Sequence, residues 1–346
     1  MGTESEDASN SNAPMEISWQ FDYLFDSDKL KSLYSKAKRD QWDAEQDIDW
    51  DLQVDPSRPL FGRDVMAVFH VPLVQRLSAS QQATLRAHLA AHQLSQILHG
   101  EQGALMTAGA LTHAVPDHQG KLYAATQAMD EARHVEVFAA YIHKLAVTYP
   151  MSLTLKRLID LTLGADSWVK IAIGMNMVVE GLALGTFHNV LAVTECELLR
   201  RIMRGVIRDE SRHVGFGNLY VADAIKAMHA DEREEVADFA FMAIKLMRDA
   251  RHRREPDPAF ALVLDRSGID RNDFYKSVLE MRASGQKVEL PKDQVHPFKH
   301  LMMPALVRVG AVTDRSRKRY EAEGIPVIEE RSTLERMETG APPAMN

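Results

Sequence analysis

Apolar residues recur at intervals of three and four along the middle of this chain, from Ser78 to about His229, and no alternating apolar–polar run of strand type persists. The pattern predicts four long helices. The first opens at Ser78, where Ser78 and Gln81 form a capping-box pair, runs to about His113 and stops at the Val-Pro-Asp segment of residues 115–117. The second spans about Gln119 to Thr148 and ends before Pro150. A shorter helix over roughly 152–163 stops at Gly164. The third core helix starts at an Asp166 N-cap and continues to about Val193. The fourth begins at Thr194, where Thr194 and Glu197 read as a second capping box, and runs to about His229. Further helices are expected near 232–254, 271–283 and 298–322. The fold class is therefore all-α, a four-helix core with additional flanking helices.

Chain ends change this picture little. Residues 1–15 are polar and of low complexity and read as a disordered tail. Residues 16–330 form a single helical domain with its core bundle at about 78–230, and residues 331–346, with their Thr-Gly-Ala-Pro-Pro run, read as a loose C-terminal tail. An extended bundle can use 346 residues as one core. The 17 methionines and an aromatic content of only 7% suit a large helical interior.

Charge and cysteine content narrow the function classes. A net charge of −8 with no basic stripe argues against nucleic acid. The densest basic run, Arg315, Arg317, Lys318 and Arg319, reads as a solvated helix face. The lone Cys196 excludes an internal disulfide or a thiolate cluster and fits a reducing cytoplasm. No secretory h-region is visible. The apolar stretch from Trp168 to Thr194 contains Lys170 and Glu180 and reads as a buried helix rather than a membrane span.

One short motif occurs twice. Residues 130–134 read Asp-Glu-Ala-Arg-His and residues 209–213 read Asp-Glu-Ser-Arg-His. Glu and His three apart share a helix face, so each pair, Glu131 with His134 and Glu210 with His213, can reach one metal ion. Two-metal carboxylate bundles complete such a set with one Glu from each of the other two helices. Each of those helices offers a single candidate. Glu101 is the only acid between Asp64 and Asp117, and Glu180 is the only acid between Asp166 and Glu195. Glu101 and Glu131 each lie roughly 18 Å from their shared turn, and Glu180 and Glu210 match to within about 3 Å, so antiparallel packing brings all four to one level. Metal-bound imidazoles hand their second N–H to a carboxylate. Asp130 is expected to orient His213 across the bundle, Asp209 to orient His134, and Arg133 and Arg212 to hold those aspartates.

These residues resemble the ferritin-like diiron carboxylate superfamily over about 78–230, and most of all its oxygen-activating branch. That branch includes monooxygenase hydroxylases, the ribonucleotide reductase small subunit and related oxidases. The run Trp42 to Trp50, WDAEQDIDW, is similar to the lead-in of such enzymes. The chain departs from each group at one marker position. Phe138 stands where the reductase subunit has its radical tyrosine, and Glu101 where that subunit has Asp. Leu184 stands where the hydroxylases place Thr. Val206 stands where aminobenzoate N-oxygenases add a third His.

The resemblance implies a cofactor of two Fe ions, or a mixed Fe/Mn pair, with O2 as co-substrate. It implies an oxidoreductase that hydroxylates, N-oxygenates or desaturates an apolar or aromatic small molecule. An electron donor such as a reductase or ferredoxin, a homodimer, and no membrane partner go with it. Leu105, Phe138, Leu184 and Phe187, each within about two turns of a ligand, are the expected pocket walls. Two other classes make different demands. A ferroxidase without organic substrate needs no substrate-sized cavity, and a radical-generating subunit needs a redox residue where Phe138 stands.

Overall fold

The computed structural model describes residues 17, 19–21, 23, 27–55, 67–251, 258–285 and 294–338. The expected tail at 1–15 lies outside these. Among the described residues all regular structure is helical. The first core helix, Ala79–Ala114, is capped by Ser78 with both halves of the Ser78–Gln81 box in place. The second, His118–Leu145, starts from Asp117, whose side chain accepts from Gly120 N. These two pack along their lengths as antiparallel neighbours, joined by a turn of a few residues. The short helix Leu153–Leu163 follows.

The third core helix runs Trp168–Val193. It is long and apolar enough to cross a membrane, yet 78% of its most apolar window is buried inside the protein. Its cap is Ser167 rather than Asp166. Asp166 instead pairs with Lys170 at 2.8 Å, one turn on. A wider π turn occupies Ile173–Val179, immediately before Glu180. Such segments concentrate at functional sites. The fourth core helix, Glu197–Ala227, lacks the expected Thr194 box. The Thr194 hydroxyl accepts from Cys196 N, and the helix begins after Cys196.

Two further differences have local causes. The helix expected over 298–322 is broken at Gly310, whose φ of +84° ends one helix before Asp314–Ala322 begins. The expected C-terminal tail contains the helix Ser332–Glu338, which buries Thr333, Leu334 and Met337. Its Glu338 pairs with Arg308 and accepts from Asn218. The basic run at 315–319 faces acids of a neighbouring helix, with Arg315 and Arg319 both on Asp238.

Gly217 lets the third and fourth core helices approach closely. A Cβ there would lie 2.6 Å from the Cβ of Asn176, inside the π turn. Gly217→Ala should therefore cost about 1–3 kcal/mol of stability, as overpacking does. Chemical denaturation reads this directly, and a loss under about 0.5 kcal/mol, the surface-substitution range, would show that the π turn yields.

Candidate metal centre

All four core helices deliver a carboxylate to the middle of the bundle. Glu101, Glu131, Glu180 and Glu210 are buried, as are His134 and His213. Ligand atoms of Glu101, Glu131, His134 and Glu210 lie within 4.8 Å of one another, and so do those of Glu131, Glu180 and His213. Glu131 is common to both groups. The six residues singled out by spacing are thus brought together at one level.

The geometry within the cluster is convergent. His134 Nδ1 lies 3.1 Å from Glu101 Oε2, 3.2 Å from Glu131 Oε2 and 3.2 Å from Glu210 Oε1. One ring nitrogen cannot serve three carboxylates as a donor, but one cation can bind all four groups. His213 Nδ1 is 3.0 Å from Glu131 Oε1, yet it and Glu210 Oε2 are buried without an aligned hydrogen-bond partner.

Electrostatics agree. Burial pushes the Glu101 and Glu180 carboxyls well above the usual carboxylate range, and the neighbouring Glu210 and Glu131 push the same way. Burial would raise Glu131 too, but the adjoining His213 and His134 overcome it and hold Glu131 below its ordinary value. Both imidazoles, despite burial, are raised well above theirs by the carboxylates around them. Four buried carboxylates call for positive charge, and two divalent cations match them charge for charge. The hard oxygen and imidazole donor set suits iron or manganese.

The far sides of the imidazoles are held crosswise. His134 Nε2 is 3.3 Å from Asp209 Oδ2, and His213 Nε2 is 3.2 Å from Asp130 Oδ2. Arg133 donates to Asp130 at 2.5 Å and to Asp209 at 2.8 Å. Arg212 donates to Asp209 at 2.6 Å and to Asp130 at 3.1 Å. All four are buried, so this is an internal ion quartet.

Sequence spacing missed four polar residues. Gln41 Nε2 donates to Asp130 at 2.8 Å and its Oε1 accepts from Arg133 at 2.7 Å. Trp42 Nε1 donates to Asp209 Oδ2 at 2.7 Å, and Arg133 stacks over its ring. On the opposite side, Gln127 donates to Glu180 at 2.6 Å and Asn176 donates to Glu180 at 3.0 Å. Gln127 and Asn176 each sit four residues before a ligand candidate, a helical spacing that points to them.

A cavity of about 400 Å³ abuts the cluster, with Glu101, Glu180 and Glu210 in its wall. The expected walls are corrected here: Leu105, Phe138, Leu184 and Phe187 do not line it. Phe138, Leu184 and Phe187 are core residues, with Phe138 stacked on Phe187 at 5.9 Å. Ala104 and Ala183, each one residue earlier, line the cavity instead. Successive helical residues are rotated by about 100°, so one step turns Leu105 and Leu184 away.

A helical bundle gathering two Glu-x-x-His pairs and two further glutamates is the architecture of the ferritin-like two-metal carboxylate proteins. Residues 26–261 match the family described as P-aminobenzoate N-oxygenase AurF, and this chain belongs to that family, as an oxidoreductase. The departure at Val206 stands, since that position is buried and apolar. No curated relative matches. Among solved structures, the chain is similar to an R2-like ligand-binding oxidase with a metal cofactor reconstituted aerobically, after photoconversion. Identity is 18%, coverage 83% of this chain and 94% of that one, and TM-score 0.47. It is also similar to an R2-like ligand-binding oxidase with an aerobically reconstituted Mn/Fe cofactor after a long soak, at 16% identity, 88% and 95% coverage, and TM-score 0.45.

Proposed function

We propose that this protein is an O2-dependent N-oxygenase that acts on a small aromatic amine. The observation that carries this reading is the cavity placed directly against Glu101, Glu180 and Glu210. A ferroxidase has no use for such a chamber. Phe138 removes the residue a radical-generating subunit needs. The family supplies the reaction type, and the cavity supplies the organic substrate's place.

Glu101, Glu131, His134 and Glu210 would hold one iron, and Glu131, Glu180, His213 and Glu210 the other. When bound, the metals supply O2 activation. The balanced reaction is R–NH2 + O2 + 2 H+ + 2 e− → R–NHOH + H2O, with electrons from a donor such as a ferredoxin or reductase. The chain's own residues do the rest. Asp209 and Asp130 orient the imidazoles and raise their basicity. Gln127 and Asn176 pin Glu180. Ile97, Leu158, Leu182 and Val190 give the cavity apolar walls against which the ring of the amine would pack.

Iron-loaded protein given a chemical reductant, O2 and 4-aminobenzoate or aniline should yield an oxygenated amine, identified by mass spectrometry with label from 18O2. Rapid oxidation of bound iron with no oxygenated product from either amine would favour the ferroxidase instead.

A further inference from the structure

A second concavity, an open groove of about 570 Å³, lies away from the cavity. Lys36 and Arg39 line it from the helix Asp28–Arg39, and Arg204, Arg208 and Arg212 line it from the fourth core helix. The three arginines recur every four residues, so they form one stripe with about 6 Å per step along the axis. Arg204 and Arg208 are exposed and Arg212 is buried, so the stripe descends from the surface to the groove's floor. The sequence shows no basic run here, because the members are spaced along one helix and completed from another.

The positive charge of this groove is largely free. Two acids share its wall, and both are engaged: Asp40 with Arg39 at 2.9 Å, and Glu338 with Arg308 at 2.9 Å. His188 is neutral there, since burial lowers its pKa to about 4. Arg212 is held within the ion quartet. Lys36, Arg204 and Arg208 have no ion pair among the described residues. The helix Asp28–Arg39 adds to the field, with five basic residues against one acid on a chain of net charge −8. The floor is also close to the metal centre. Arg212 donates to Asp130 at 3.1 Å, and Asp130 is 3.2 Å from Nε2 of the ligand candidate His213.

We infer that this groove is the docking site of the electron donor, and that the donor is a small acidic carrier protein of the ferredoxin class. This rests on the reading of the protein as an O2-dependent oxygenase, which draws two electrons per turnover from outside; a ferroxidase takes its electrons from iron and needs no carrier. Charge selects the occupant. An acidic carrier is drawn to the groove and repelled by the remainder of an acidic chain, which fixes its orientation as well as its place. Electron-transfer encounters bury little area, so a charged groove of this size is enough. Two dockings, each delivering one electron, return two ferric ions to the ferrous state and leave two oxidised carriers.

Titration calorimetry of iron-loaded protein with an acidic plant-type [2Fe–2S] ferredoxin tests this, with neither amine nor O2 present. Affinity should fall on the order of tenfold or more between about 50 and 500 mM salt. Arg204→Glu with Arg208→Glu should weaken binding by a similar factor, while metal content and the rate of iron reduction by methyl viologen stay unchanged. Lys318→Glu alters the net charge as much as Arg204→Glu but lies on the helix Asp314–Ala322. It should cost less than about twofold, against about threefold or more for Arg204→Glu. Failure of the ferredoxin to bind at low salt would overturn the inference, as would equal losses from Lys318→Glu and Arg204→Glu. So would capture of phosphatidylglycerol vesicles or a DNA duplex in the ferredoxin's place. The amine enters none of these measurements, so the 18O2 experiment succeeds or fails independently of them.

Discussion

Glu131→Ala should empty most of the metal centre, with metal affinity falling by more than the roughly 10–100-fold typical of residues that merely orient a ligand. Glu131 is fully buried, and it belongs to both ligand groups. Its oxygens lie 3.2 Å from His134 Nδ1 and 3.0 Å from His213 Nδ1, so it stands between the two imidazoles. Removing it takes an anion from both positions and leaves three carboxylates to offset two cations. Glu210→Ala also removes an anion that faces both imidazoles, 3.2 Å from His134 Nδ1 and 3.7 Å from His213 Nδ1, and should lower metal content sharply as well. Metal-to-protein ratios by plasma mass spectrometry, with helicity checked by circular dichroism, separate loss of metal from loss of fold. Full occupancy in both variants would remove these residues from the ligand set.

The second large effect is a coupling. His134→Ala removes a ligand outright, while Asp209→Asn keeps the shape of the partner to its Nε2 and removes the charge. Asp209→Asn alone should cost about 10–100-fold in metal affinity or activity. If it acts through His134, the double variant should bind metal hardly worse than His134→Ala, because residues that work through one contact are not additive. Simple addition of the two losses would show that Asp209 does not act through His134. Asp209 has a second task that needs its own measurement. It also accepts from Trp42, Arg133 and Arg212. An amide there leaves two buried guanidinium groups sharing one carboxylate, so thermal stability should fall even in metal-free protein. The stability loss should persist in the His134→Ala background, whereas the metal-binding loss should not.

The core of this arrangement was legible because it obeys helical arithmetic. A repeated Glu-x-x-His frame, lone acids in apolar helices and equal distances from the turns are all properties of spacing, and the structure brings those six residues together. The crossed aspartate–histidine contacts followed from the same frame. The wall of the cavity did not, because a one-residue error in a helix is a 100° error in direction, enough to exchange Ala104 for Leu105. The π turn before Glu180 has no counterpart in an apolar pattern: Ile173–Val179 reads as an ordinary helix. Thr194 failed as a cap because its hydroxyl found a nearer amide. The roles of Gln41 and of Trp42, the first residue of the lead-in run, were beyond reach for a different reason. Both residues come from a segment outside the core helices, and only the folded chain shows it lying against the ion quartet.

The crossed contacts also carry a consequence for the order of events when the chain is made. Asp130 and His213 are 83 residues apart, and His134 and Asp209 are 75 apart. At roughly 5–20 residues per second, the ribosome needs about 4–17 s to supply the second partner after the first. Throughout that interval the first two core helices carry Asp130 with Arg133 but without Arg212, and Glu101 and Glu131 with His134 but without His213. Neither half of the chain holds a finished ligand set, and His213 comes late in the sequence. The full set of six ligand candidates therefore exists only after the fourth core helix has emerged.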